Sequence, residues 1–420
     1  MGKVVKLEKP TKEGARPKPA RRRPRRSRTA LVLGGGGFTG GVYEIGALRA
    51  LDLLAVNRTV NQFDVYVGTS SGSFVASLLA NGVTPEEMMR VVNQQVPTPF
   101  RDLDLGKLLR PSYTDFAKSA ALMPLRLIGL ARTLAGQLRS VSAMDVVVGL
   151  AEALPAGAYS GAGIESYLEG VLSDPDRTND FRLLQAELYL AATDLDTCER
   201  VVLGGEDWED VPISKAVSAS TALPMVYRPV DVKGRHLVDG GIRSTTNVDI
   251  AVEQGAKFVV VVNPLVPYVN DFQKMIPTML GSRVRRVADM GFPQIGYQSF
   301  KLLAHQRLHE AVRNWEEKYP GVDIILIEPE PNDELMFDTN ILNFTKRVEI
   351  ARHGFESVTL RLAKDYTRLR DVCARHGIEI SATRVRKVLR HLERERERTR
   401  AWRRLFEQTT GALLRQSEEG

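Results

Sequence analysis

Two short apolar runs, each broken by glycine and followed by a helical pattern, constrain this chain more than any other feature. Residues 30–33 read ALVL, Gly34 to Gly41 contain six glycines, and residues 42–56 (VYEIGALRALDLLAV) place apolar side chains at helical spacing. Asp64 to Val67 is a second apolar run, Gly68 to Ser73 read GTSSGS, and Phe74 to Leu79 open a second helix. Strand, loop, helix, strand, turn, helix is the rhythm of a parallel sheet covered by helices. Strands buried on both faces should be continuously apolar, as these are. The fold class expected is α/β, with a mostly parallel central sheet and helices on both faces.

The pattern returns downstream. Residues 187–197 and 200–205 read as a hairpin or adjacent strands, and 257–264 and 322–329 as buried strands. Helical patterns run from Ile341 to Ala374, and a charged helix begins near Ala382, with Val385, Val388, Leu389 and Leu392 on one narrow apolar face. Residues 100–175 read as a helical insert in which Pro124 would end or kink a helix. The insert is either a core helix pair or a lid facing an apolar substrate or a membrane surface. The expected organisation is a basic tail (1–28), a catalytic domain (29–330) and a helical C-terminal extension (331–420).

Of the 420 residues, 43% are hydrophobic, enough for a substantial core. The net charge of +7 belongs to one end. Residues 1–28 carry twelve Lys and Arg against two Glu, a net +10; the rest carry 46 against 49, a net −3. The tail, which ends in RPKPARRRPRRSR, cannot bury enough surface to fold alone. It reads as a disordered solubilising arm or as an electrostatic contact to anionic lipid or nucleic acid. No nucleic-acid partner is expected, since the body shows no basic face or aromatic platform. The tail and the insert are the two candidates for peripheral membrane contact. No signal peptide or 18-residue apolar run is read, and Lys6 stands where a myristoylation pattern needs Ser or Thr. Cys198 and Cys373 form no disulfide framework or metal cluster, so a cytoplasmic protein is expected. Nothing in the residues specifies an oligomeric state.

The glycine loop has three readings. Gly35-Gly36-Gly37-Phe38-Thr39-Gly40 fits G-x-G-x-x-G, a dinucleotide fingerprint. That reading needs an acidic residue about 20 positions on, and Asp64 sits at the wrong end of the second strand. The loop could also be purely structural, or an oxyanion hole whose backbone N–H groups stabilise the negative oxygen of an attacked carbonyl. Gly68-Thr69-Ser70-Ser71-Gly72 is G-x-S-x-G: its glycines allow the sharp strand-to-helix turn that lifts Ser70 out of the sheet. Ser70 needs a base. None of His236, His305, His309, His353, His376 and His391 lies in a catalytic motif. Asp239, between the apolar Leu237-Val238 and Gly240-Gly241, can face a cavity, or its turn can merely reverse the chain.

Taken together, LVLGGGGFTGG, DVYVGTSSGS and LVDGG, in that order, resemble the patatin-like phospholipases, which are lipid acyl hydrolases. AVSASTALPMVYRPV (216–230) is similar to the family's small-residue segment before the aspartate motif. The resemblance covers roughly residues 29–265. It implies a Ser–Asp dyad without histidine, in which Ser70 attacks the ester carbonyl, Asp239 takes its proton and then activates water, and N–H groups of Gly35, Gly36 and Gly37 hold the oxyanion. It implies a lipid or other ester substrate and no metal or organic cofactor. One departure stands out. Family members carry Arg or Lys two residues after the glycine triplet; here that place is Thr39, or Gly40 when aligned from the helix. A neutral ester therefore stands beside phospholipid as a substrate class. The rival readings are a Ser–His–Asp esterase of another fold and a non-catalytic lipid-binding or scaffold protein.

Overall fold

The computed structural model describes residues 27–93, 156–270, 283–331 and 346–391, with scattered residues at 110–111, 117, 121–122, 124–125, 128, 276–277, 333, 335–336 and 394. Most of the basic tail, most of the helical insert and the end of the C-terminal helix lie outside the described residues. The few described residues around Pro124 are helical on both sides of it.

The central sheet has eight strands: β1 (Thr29–Leu33), β2 (Val65–Thr69), β3 (Glu187–Asp194), β4 (Arg200–Leu203), β5 (Val230–Val232), β6 (Arg235–Asp239), β7 (Phe258–Val262) and β8 (Asp323–Ile327). Strands β8, β7, β1, β2 and β3 are neighbours in that order, all parallel. The β3–β4, β3–β6 and β5–β6 pairs are antiparallel. The sheet is mostly parallel, with an antiparallel flank.

Helices accompany it, among them α1 (Gly37–Leu54), α2 (Ser71–Ala80), α3 (Pro85–Val92), α4 (Ala162–Leu172), α5 (Ile213–Ser220), α6 (Val248–Glu253), α7 (Phe292–Lys318), α8 (Arg347–Lys364) and α9 (Tyr366–Arg375), and residues 382–391 are helical as well. Strand periodicity divides the core between two faces. Leu31, Leu33, Tyr66, Val260 and Val262 point to the side holding α1, α2 and α8. Ala30, Val32, Val65, Val67, Val259 and Val261 point to the side holding α6 and α7, where they meet Ile250, Leu308 and Trp315. Helices thus cover both faces, which is why these strands have no polar side.

The helix after the first strand starts earlier than its apolar spacing suggests, at Gly37 rather than residue 42. Two of its glycines sit where side chains have little or no room. A Cβ on Gly40 would stand 3.0 Å from Pro264 Cγ, and one on Gly46 only 2.1 Å from the Ala351 carbonyl oxygen. Gly354 meets the Tyr43 carbonyl oxygen in the same way, at 2.5 Å. Helices α1 and α8 therefore cross backbone to backbone, so residues of the C-terminal region share the core of the sheet. Asp64 lies just before β2 and is structural: its Oδ2 accepts from the N–H of Thr29 (2.8 Å) and its Oγ1 (2.9 Å), tying the starts of two strands. Among the described residues, no helix is long and apolar enough to cross a membrane.

Candidate active site

The sheet register explains how residues 169 apart meet. Leu190 to Thr193 of β3 pair with β4 along one edge. The other edge is shared end to end. Strand β2 runs up it and stops at Thr69, opposite Ala191, while β6 runs down it and stops at Asp239, opposite Ala192. The carboxyl ends of the two strands abut at adjacent residues of β3. The crevice outside the carboxyl ends of strands is where open α/β sheets bind ligands.

Ser70 follows β2 at once with φ 55° and ψ −126°, a conformation strained for a residue with a side chain. The chain turns there directly into α2. Gly68 and Gly72 make the turn possible. A Cβ on Gly68 would lie 2.5 Å from Ser73 Cα, and one on Gly72 2.4 Å from the Leu33 carbonyl oxygen. The Ser73 hydroxyl (2.5 Å) and N–H (2.9 Å) donate to the Ser70 carbonyl, and the Ser220 hydroxyl accepts from the Ser70 N–H at 3.1 Å. Ser220 in turn donates to the Ala191 carbonyl at 2.6 Å, so one side chain of α5 pins the elbow to the strand beside it. Behind the turn, Asn247 Nδ2 donates to Thr69 Oγ1 at 2.9 Å.

The Ser70 hydroxyl donates to Asp239 Oδ2 at 2.5 Å. Both side chains are buried, Ser70 at 7% exposure and Asp239 at 3%. The other carboxylate oxygen of Asp239 accepts from the Gly241 N–H at 2.7 Å, and its own N–H donates to the Ala222 carbonyl at 3.0 Å. Gly240 lies so close over Ala191 that a Cβ would sit 2.3 Å from the carbonyl oxygen there. Burial pushes the Asp239 carboxyl up to about 6, against the lowering effect of the bonds from Ser70 and Gly241. A carboxylate so placed is a stronger base than an exposed one.

The glycine loop adjoins this pair. A Cβ on Gly35 would stand 3.1 Å from Ser70 Cβ. The first hydrogen bond of α1 runs from the Gly40 N–H to the Gly36 carbonyl at 3.0 Å, which leaves the Gly37 amide without a helical acceptor. The N-termini of α1 and α2 converge here, and both contribute partial positive charge. Thr39 is buried in the first turn of α1, and Gly40 is closed in by Pro264 and Ser71, so neither position carries a cation.

Ser70, Asp239 and Gly35 to Gly37 all line one cavity whose walls are otherwise mostly apolar, including Phe38, Val42, Ile45, Phe74, Leu223 and Leu265. Tyr297 and Phe300 of α7 complete the wall beside Asp239. Four histidines face other carboxylates: His236 that of Asp196, His309 that of Glu328, His353 that of Asp333 and His376 that of Asp323. Sequence reasoning missed Ser220, Asn247, Tyr297 and Phe300. Only Ser220 had a signal, its place in the small-residue segment before the aspartate motif.

The patatin-like phospholipase family model matches residues 31–252, more than half of the chain, and the chain belongs to that family. Among curated proteins, the probable lipid hydrolase 463L of Invertebrate iridescent virus 6 is 23% identical over 229 residues, 53% of this chain and 63% of that protein. The chain thus matches less than two thirds of that relative's length. Among solved structures, VipD from Legionella pneumophila is similar at 14% identity and a TM-score of 0.35, over 81% of this chain and 67% of that one. The type III effector ExoU of Pseudomonas aeruginosa gives 14% identity and a TM-score of 0.34, over 81% and 54%.

Proposed function

We propose that the chain is a serine hydrolase of carboxylic esters of long-chain acyl lipids, acting through a Ser70–Asp239 dyad. The observation that carries this reading is the 2.5 Å hydrogen bond from a strained serine to a buried aspartate inside an apolar cavity beside a glycine loop. Ser70 Oγ attacks the ester carbonyl carbon as its proton passes to Asp239 Oδ2. The carbonyl oxygen, now negative, is held by backbone N–H groups of Gly35, Gly36 and Gly37. When the tetrahedral intermediate collapses, the C–O bond to the alcohol breaks and the Asp239 proton leaves on the alkoxide. Asp239 then takes a proton from water, the hydroxide attacks the acyl-enzyme, and the proton returns to Ser70 as the fatty acid departs. Every group needed comes from the chain itself.

The substrate is a neutral or zwitterionic lipid ester. The acyl chain is accommodated by the apolar cavity, and the loop position where the family places a cation holds the neutral Thr39 or Gly40. Peripheral contact with a lipid surface suits such a substrate, and the +10 tail is the segment to make it.

The test is fluorophosphonate labelling combined with an ester panel of varied head group and acyl length. The expected result is one adduct, on Ser70, and turnover of long-chain esters that Ser70→Ala abolishes. Folded protein that takes no adduct on Ser70 favours a non-catalytic lipid-binding role.

A further inference from the structure

We propose that His305, His309 and Glu328 form a binding site for a divalent transition-metal ion of the zinc class, fastening the helix that walls the cavity to the sheet. The two histidines stand one turn apart on the same face of α7, with ring centroids 4.1 Å apart. Glu328 follows the last residue of β8, and its Oε2 lies 3.0 Å from His309 Nε2. One atom from each of the three, two imidazole nitrogens and one carboxylate oxygen, lie within 4.8 Å of one another. Zinc held at about 2.0–2.1 Å in a tetrahedron sets its ligand atoms roughly 3.3 Å apart. Closing the remaining gap needs shifts of about an ångström in the two partly exposed histidine side chains, well within rotamer adjustment.

The surroundings suit an ion. The second oxygen of Glu328 accepts from Asn263 Nδ2 at 2.7 Å, an outer partner of the kind that orients ligating carboxylates. Asn263 is wholly buried, so this orientation is rigid. No hydrogen bond to the His305 ring is found among the described residues, so the His309–Glu328 pair alone does not account for its placement. The nearby cations are engaged elsewhere: Arg307 donates to the Ile242 carbonyl at 2.8 Å, and Arg361 to the Glu328 main-chain carbonyl at 2.9 Å. Two neutral imidazoles and one carboxylate carry −1, which a divalent ion more than balances, and the partial exposure of all three residues leaves a position for water.

The site is separate from the ester chemistry. Glu328 follows a strand three removed from β2, about 14 Å from Ser70 at ordinary strand spacing. Its reach into function runs through α7, which carries Tyr297 and Phe300 into the cavity wall two turns before the histidines. A bound ion would hold that wall against the sheet.

The experiment is a Co2+ titration of untagged, chelator-stripped full-length protein, read by visible absorption. The expected result is one ion per chain with the intense d–d bands of a four- or five-coordinate site, displaced by Zn2+, and a higher Tm with Zn2+ present. Outer-shell losses cost about 10–100-fold in affinity, so His305→Ala and His309→Ala should each cost about 100-fold or more. His236→Ala, on the distant exposed His236, should bind like wild type. Wild-type protein that develops no band overturns the proposal. So does a His305→Ala/His309→Ala double variant that binds as tightly as wild type.

Discussion

At the residue scale, Asp239 links geometry to pH. Its carboxyl is pushed to about 6 by burial, and in the proposed dyad it must be ionised to take the Ser70 proton. We therefore expect kcat/KM to rise with pH through an inflection near 6. The same shift acts on stability with the opposite sense. The folded state holds the Asp239 proton more tightly than the unfolded chain, so this contribution is fully present below about pH 4 and is lost as pH rises through 6. Above that, wild type carries a buried charge. Asp239→Asn should therefore be nearly inactive yet at least as stable as wild type at pH 8, by up to about 3 kcal/mol for a two-unit shift; denaturant melts at pH 5 and 8 measure this. In the proposed site Ser220 acts as a positioning residue. Its removal leaves the Ser70 N–H and the Ala191 carbonyl without their partner, so Ser220→Ala should cost about 1–3 kcal/mol and lower kcat more than it raises KM. The strained φ of Ser70 was legible from G-x-S-x-G. The Ser220 bond was not, because nothing in a run of small residues says which hydroxyl faces the elbow.

At the scale of elements, the site depends on close approach of backbones. The glycines of α1 look like poor helix formers, and spacing alone starts that helix five residues late. In the fold they occupy the first turns, where Pro264, Ser71 and α8 leave no room for a Cβ. Propensity was outweighed by packing, which sequence periodicity does not report. Gly46→Ala and Gly354→Ala would each drive a methyl into a facing carbonyl and should destabilise by about 1–3 kcal/mol in thermal or urea melts. The abutment of β2 and β6 along one edge of β3 was equally hidden. The apolar runs predicted both strands, but their order in the sheet is set by long-range pairing. Only the resemblance of three ordered motifs brought Asp239 to Ser70 in advance.

At the scale of the whole molecule, the charge is divided between a tail at +10 and a body at −3. If the tail steers the enzyme to anionic surfaces, removing residues 1–26 should leave turnover of a dispersed short-chain ester unchanged. Hydrolysis on vesicles containing anionic lipid should fall, and the difference should vanish at high salt, where charge attraction is screened. Equal loss on both substrates would show that the tail acts on the fold instead. The mostly parallel sheet and the helices on both faces could be read from continuous apolar strands. The role of residues 100–155 could not, because an apolar segment with scattered arginines is compatible with both core and lid. The central claim is that a carboxylate, not an imidazole, activates Ser70. Its most direct test is ester turnover at pH 8 by Asp239→Asn beside single alanine variants of the six histidines. The account predicts a loss of about 10²–10⁴-fold or more in Asp239→Asn, with fluorophosphonate labelling of Ser70 slowed in parallel. Wild-type turnover by Asp239→Asn, with one histidine variant inactive, would contradict it.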